Sequence, residues 1–189
     1  MKTKACALLI WFLSGMICML PPMSHAQDAS LTNIIVTNTR DDLLFYLTVR
    51  NAFPPEIEET IHSGVPATFS FLINLQLVRE FWVDKELNEI TVTHTIKYDS
   101  LKKEYMVTRS WDGDRPHVVK SFDEAKKLMS EIDSLSIVSL SELEKGRQYQ
   151  IRAKAKLSKL TLPFYLHYIL FFMSLWDFET DWYTIDFIY

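Results

Sequence analysis

The sequence predicts a mainly β, α+β domain: an antiparallel β-sandwich with two or three short helices and an apolar C-terminal helix or strand segment. Three observations carry this. Apolar residues recur at every second position in about seven or eight segments. Turn-forming residues separate those segments, and stretches with helical spacing are few and short. Period-two alternation with one polar face marks antiparallel strands half covered by a core.

The first 26 residues read as an address. Lys2 and Lys4 precede an apolar run from Ala5 to Leu20, Pro21 and Pro22 break it, and Ser24-His25-Ala26 offers small residues to a signal peptidase. The run is short of the about 20 residues a span requires. Cleavage after Ala26 is expected, leaving one domain over 27–189. Its 163 residues suffice to bury roughly two-thirds of the unfolded surface.

Both cysteines, Cys6 and Cys18, lie in the leader, so the remainder carries no disulfide and no thiolate site. It holds 18 bases against 24 acids, a balance opposed to a nucleic-acid footprint. Only Gly64, Gly113 and Gly146 remain as glycines, which excludes Gly-rich phosphate loops.

The elements follow in order. In "LLFYLTVR", Leu43, Phe45, Leu47 and Val49 form an apolar face. "FPPEIEETIHSGVP" carries proline and acids early and His62, Gly64 and Pro66 late, the polarity of a short helix, docked by Ile57 and Ile61. "FSFLINLQL" alternates through Phe69, Phe71, Ile73, Leu75 and Leu77; "ITVTHTIKY" does so through Ile90, Val92, His94, Ile96 and Tyr98. Leu101-Lys102-Lys103 is expected to turn a hairpin into "EYMVTRSW". Asp112-Gly113 suits a tight hairpin turn; as a metal loop, "DGD" lacks the further spaced oxygens of an EF-hand.

"SFDEAKKLMSEI" predicts a helix with a capping box, Ser121 with Glu124, and a stripe of Phe122, Ala125, Leu128, Met129 and Ile132. "SLSELEKG" predicts a third, single-turn helix. In "YQIRAKAKL", Tyr149, Ile151, Ala153, Ala155 and Leu157 face inward against Gln150, Arg152, Lys154 and Lys156.

The C-terminal "LPFYLHYILFFMSLWDFETDWYTIDFIY" admits several readings. Only 17 uncharged residues separate Lys159 from Asp177, interrupted by Pro163 and His167, and the following tail is acidic where a cytoplasmic flank favours Lys and Arg. Tyr183, Ile185, Phe187 and Tyr189 alternate as in a barrel strand, yet the preceding alternate residues Asp177, Glu179 and Asp181 oppose a lipid-facing side. A buried element is the favoured reading. The alternative leaves Phe164, Phe171, Phe172, Trp176 and Trp182 as an exposed docking patch for a lipid or another protein.

No histidine pair has zinc-ligand spacing, and no serine sits in a nucleophile elbow. Neither a metal nor a cofactor is expected. The remaining chemical candidates are Asp177, Glu179 and Asp181, which share a face if extended, with His94 and His167. As plain structure they are a solvated turn and hydrogen-bonded core histidines.

"NAFPPEIEETIHSGVPATFSF", "HTIKYDSLKKEY", "SFDEAKKLM" and above all "LPFYLHYILFFMSLWDFETDWY" resemble an exported bacterial family, the domain of unknown function 4390. The resemblance implies a Gram-negative envelope and no assigned activity. It also implies gene neighbours that encode a membrane sensor kinase. The expected function is that of a non-enzymatic periplasmic interaction domain, with an envelope protein such as a sensor kinase, or a lipid, as partner. The alternatives are an enzyme with an acidic or metal-assisted site near the acidic trio, and a lipid- or outer-membrane-associated protein.

Overall fold

Alternating side chains place one strand at the centre of the molecule. In the computed structural model, Ala67, Phe69, Phe71, Ile73, Leu75 and Leu77 of β3 (Ala67–Leu77) are all buried. This strand is paired on both edges. It runs against β4 (Lys85–Asp99) from Ala67↔Ile96 to Leu77↔Lys85, and against β8 (Gln148–Ser158) from Thr68↔Ser158 to Leu77↔Tyr149. The structure describes residues 29–113, 115–158 and 179–189. The expected leader 1–26 and the apolar segment 164–176 lie outside these residues.

Around β3 a six-stranded antiparallel sheet is ordered β6-β5-β4-β3-β8-β9, with β5 (Glu104–Arg109), β6 (Pro116–Val119) and β9 (Tyr183–Ile188). A second antiparallel sheet, β1-β2-β7, comprises β1 (Ser30–Asn38), β2 (Asp42–Arg50) and β7 (Glu131–Ser139). Phe45 and Leu47 of β2, Ile132 and Ile137 of β7, and the inward residues of β3, β4 and β8 join in one hydrophobic cluster. Helix α1 (Pro55–His62) adds Ile57 and Ile61; helix α2 (Phe122–Ser130) adds Ala125 and Met129. The described residues are therefore mainly β, with two antiparallel sheets and two helices, the expected class. Among the described residues no helix is long and apolar enough to cross a membrane.

The turns follow local chemistry. Asp99 Oδ1 accepts from the backbone N–H groups of Leu101 and Lys102, both at 3.0 Å, and Lys103 takes φ 55°, which closes the β4–β5 hairpin. These two hydrogen bonds, the Lys102 one foremost, hold the Asp99 carboxyl below its usual range.

Four local expectations need adjustment. Gly113 has the anticipated positive φ, 68°, but it ends a 3-10 turn over Ser110–Asp112, so the β5–β6 connection is wider than a two-residue turn. Ser121 makes no side-chain cap. The first turn of α2 is held instead by Phe122, whose ring packs against Phe53, His62 and Tyr105 at 6.0, 4.9 and 5.4 Å. The helix also stops at Ser130: Glu131 is extended, and Ile132 belongs to β7 opposite Leu47 rather than to the helical stripe. Pairing with β2 ends the helix where no glycine or proline signals it. "SLSELEKG" forms only a 3-10 turn, Leu140–Glu142.

Candidate interaction surface

The connection between β3 and β4 lacks the residues that usually turn a hairpin. Residues 78–84 contain no Gly, Asn, Ser or Pro. The loop is closed from its ends: Arg79 N–H donates to Asp84 Oδ1 at 3.0 Å, and Val78 N–H donates to the Gln148 carbonyl at 3.0 Å. Between them the chain projects Phe81, Trp82 and Val83, which are 92%, 77% and 83% exposed. Arg79 and Lys85 balance Glu80 and Asp84 on the flanks. Ile188, 75% exposed, lies at the same end of the sheet, since Leu77 pairs with both Lys85 and Tyr149 while Gln148 pairs with Ile188. Sequence reasoning missed this surface. The signal was "REFWVDKE", an apolar triad between charges that follows an already complete strand.

The candidates drawn from the sequence fall elsewhere. Asp177, His167, Phe164, Phe171, Phe172 and Trp176 lie outside the described residues. Glu179 forms an isolated bridge with Lys156, and its carboxylate is paired with the Lys154 ammonium, which holds it below the usual carboxylate range. Thr180 is buried; its Oγ1 accepts from Ala155 N–H at 3.0 Å, and its own N–H donates to the Ala155 carbonyl at 2.9 Å. Asp181 and Trp182 border a cavity of about 170 Å³ with Ala29 and Leu31. Trp182 is 42% exposed and lies under the Arg152 guanidinium and Lys154 ammonium, 4.9 and 5.4 Å from its ring centre.

His94 is not part of that group. It lies on the core face of β4, with no exposed surface, whereas Lys154 and Glu179 meet on the opposite face of the sheet. Both its nitrogens are engaged: Nδ1 faces the Met129 carbonyl at 3.0 Å, and Trp111 Nε1–H donates to Nε2 at 2.9 Å. Since a carbonyl only accepts, Nδ1 carries the proton. Burial above all, and then the nearby Arg109 charge, lowers the pKa to about 4. The imidazole is neutral and committed to the core.

A second polar group was not anticipated. Asp112 Oδ2 accepts from Arg109 Nη2 and pairs with His117 Nε2, each at 2.8 Å, and the Arg109 guanidinium lies 4.8 Å from the Trp111 ring centre. Arg109 foremost, with His117 second, lowers the Asp112 pKa. The group locks the β5–β6 connection to the Trp111–His94 pair. The adjacent Ser110 Oγ accepts from Thr93 N–H.

A groove of about 360 Å³ lies beside α2, lined by Thr48, Asn51, Phe53, Lys126, Lys127 and Glu131. Lys126 is already bound to Asp123 at 3.0 Å and Glu58 at 3.5 Å, the Asp123 contact being the main cause of its raised pKa. Among the described residues no group of three or more His, Cys, Asp or Glu is placed to hold a metal ion.

A family model described as a domain of unknown function (DUF4390) matches residues 26–186. No curated protein and no solved structure matches the chain.

Proposed function

From the premise that this chain belongs to the DUF4390 family, whose description assigns no chemistry, we propose that it is a non-enzymatic, exported envelope protein that binds through the β3–β4 tip. The exposure of Phe81, Trp82 and Val83 carries this reading. Three consecutive large apolar side chains held in water cost solubility and contribute nothing to the core, so they mark a contact surface. The titratable groups tell the same story from the other side: Asp112, Glu179 and His94 are each engaged in structural pairings rather than converging on a pocket. Export rests on the leader, with Lys2, Lys4, the apolar run and Ala26. The partner is an envelope component, either a protein such as the exported part of a sensor kinase or a lipid.

Photo-crosslinking tests this. A photoreactive residue replaces Glu80, and crosslinked products are compared with those of a chain that also carries Phe81→Ser, Trp82→Ser and Val83→Ser. Wild-type tips capture a protein or lipid, and the serine tip captures neither at unchanged melting temperature. Equal capture by both chains, or none by either, overturns the assignment.

A further inference from the structure

We propose that the occupant of the β3–β4 tip is the interfacial zone of a lipid bilayer, into which Phe81, Trp82 and Val83 insert. This rests on the binding role assigned to the tip above. The first argument is area. Three such side chains offer on the order of 500 Å², below the roughly 800 Å² per partner of a stable protein interface. Along the chain the triad is bounded on both sides by charge, Arg79 and Glu80 before it and Asp84 and Lys85 after it.

The second argument is shape. The tip is convex, pinched at its base by the Arg79–Asp84 hydrogen bond. A protein partner would need a matching apolar pocket, whereas a bilayer accepts a convex apolar wedge without complementarity. The third is chemistry. Trp82 combines an apolar ring with one N–H donor, which suits the headgroup boundary where tryptophan concentrates in membrane proteins. Insertion by about 5–10 Å takes three apolar side chains into that boundary while the flanking charges stay in water.

Charge sets the lipid class. Two cations and two anions flank the triad, so the tip has no preference for anionic headgroups. Binding is to a neutral surface and persists in high salt. Ile188, at the same end of the sheet and 75% exposed, supplies a second apolar point near the tip. The sheet then stands with this end toward the lipid. Leu101, 95% exposed at the opposite end of the 15-residue β4, faces away.

A polarity-sensitive dye tests the geometry. In the chain from Gln27 onward, which contains no cysteine, the dye is attached at Trp82→Cys or, as control, at Leu101→Cys. Vesicles are phosphatidylcholine alone or phosphatidylcholine with phosphatidylglycerol. At position 82 the emission shifts blue and is quenched by lipids with nitroxide-labelled acyl chains, equally in both vesicles and in high salt. At position 101 it does neither. With the dye kept at 82, Phe81→Ser and Val83→Ser together lower the bound fraction about tenfold in partition. A dye at 82 that stays in water overturns the bilayer assignment. If the tip nevertheless crosslinks to a protein, the binding role stands and only its occupant changes; if it crosslinks to nothing, both fall. Blue shift restricted to anionic vesicles and abolished by salt also overturns it, since that is electrostatic adsorption.

Discussion

The indole N–H of Trp111 donates to Nε2 of His94 at 2.9 Å, which leaves the second nitrogen of a fully buried ring as an acceptor. A proton on Nε2 would face another N–H, so acid must break the Trp111 contact before His94 can ionise.

Stability therefore depends on pH in a defined window. The unfolded histidine binds a proton near 6.5, the folded one only near 4. Between those values the unfolded state holds more protons, so the His94 contribution lowers stability as pH drops from 6.5 to 4 and is constant below. The full loss is about 3 kcal/mol. Urea unfolding at several pH values across the window measures it, and His94→Gln should flatten the slope. A wild-type slope unchanged by that substitution would refute the assignment.

Two phenylalanines ten residues apart should respond in opposite ways. Phe71 is fully buried, its ring 4.7 Å from that of His94. Phe71→Ala costs about 3–5 kcal/mol. Phe81→Ala changes stability by less than about 0.5 kcal/mol but weakens association through the tip. Denaturant midpoints paired with vesicle binding read both effects.

Gly113 tests backbone strain alone. A Cβ there meets nothing within 4 Å, yet φ is 68°. Gly113→Ala should cost about 1–2 kcal/mol, with Gly113→Asn recovering part of it. Thermal melting of the two variants decides; equal losses would show that side-chain bulk, not φ, is responsible.

Thr180 takes the place of a strand partner for Ala155. Thr180→Val keeps the shape, removes the Oγ1 acceptor and leaves the Ala155 N–H buried without it, at a cost of about 1–3 kcal/mol. Thr180→Ser should cost less. Amide exchange at Ala155 should quicken in the valine variant only.

What the sequence made legible was whatever repeats locally. The buried face of β3, from Phe69 to Leu77, and that of β8, from Tyr149 to Leu157, were visible in the alternation, as was the burial of His94 on an apolar face. The β4–β5 turn was visible as Leu101-Lys102-Lys103 between two alternating segments, whereas the Asp99 side chain that closes it was not read. The end of α2 was hidden, since Ile132 suits a helical stripe and a strand equally, and the choice is made by Leu47, 85 positions earlier. The partners of His94 were equally hidden, because Trp111 and Met129 come from different elements. The tip escaped notice because Phe-Trp-Val is good strand chemistry; only the pairing from Leu77 to Lys85 shows that the strand has already ended.

The position of β3 has a consequence for how the chain is made. Its β4 edge is closed by the next strand along, but its other edge waits for β8, with Phe69 opposite Leu157. A chain growing from its N-terminus thus presents its most apolar strand with one side unpaired until some 80 further residues have been added. Such contacts are slow to form, and an open apolar edge is a template for intermolecular pairing. A nascent chain that stops before Gln148 has every residue of β3 and no means of sealing it. Early termination should therefore yield aggregates rather than a smaller folded unit.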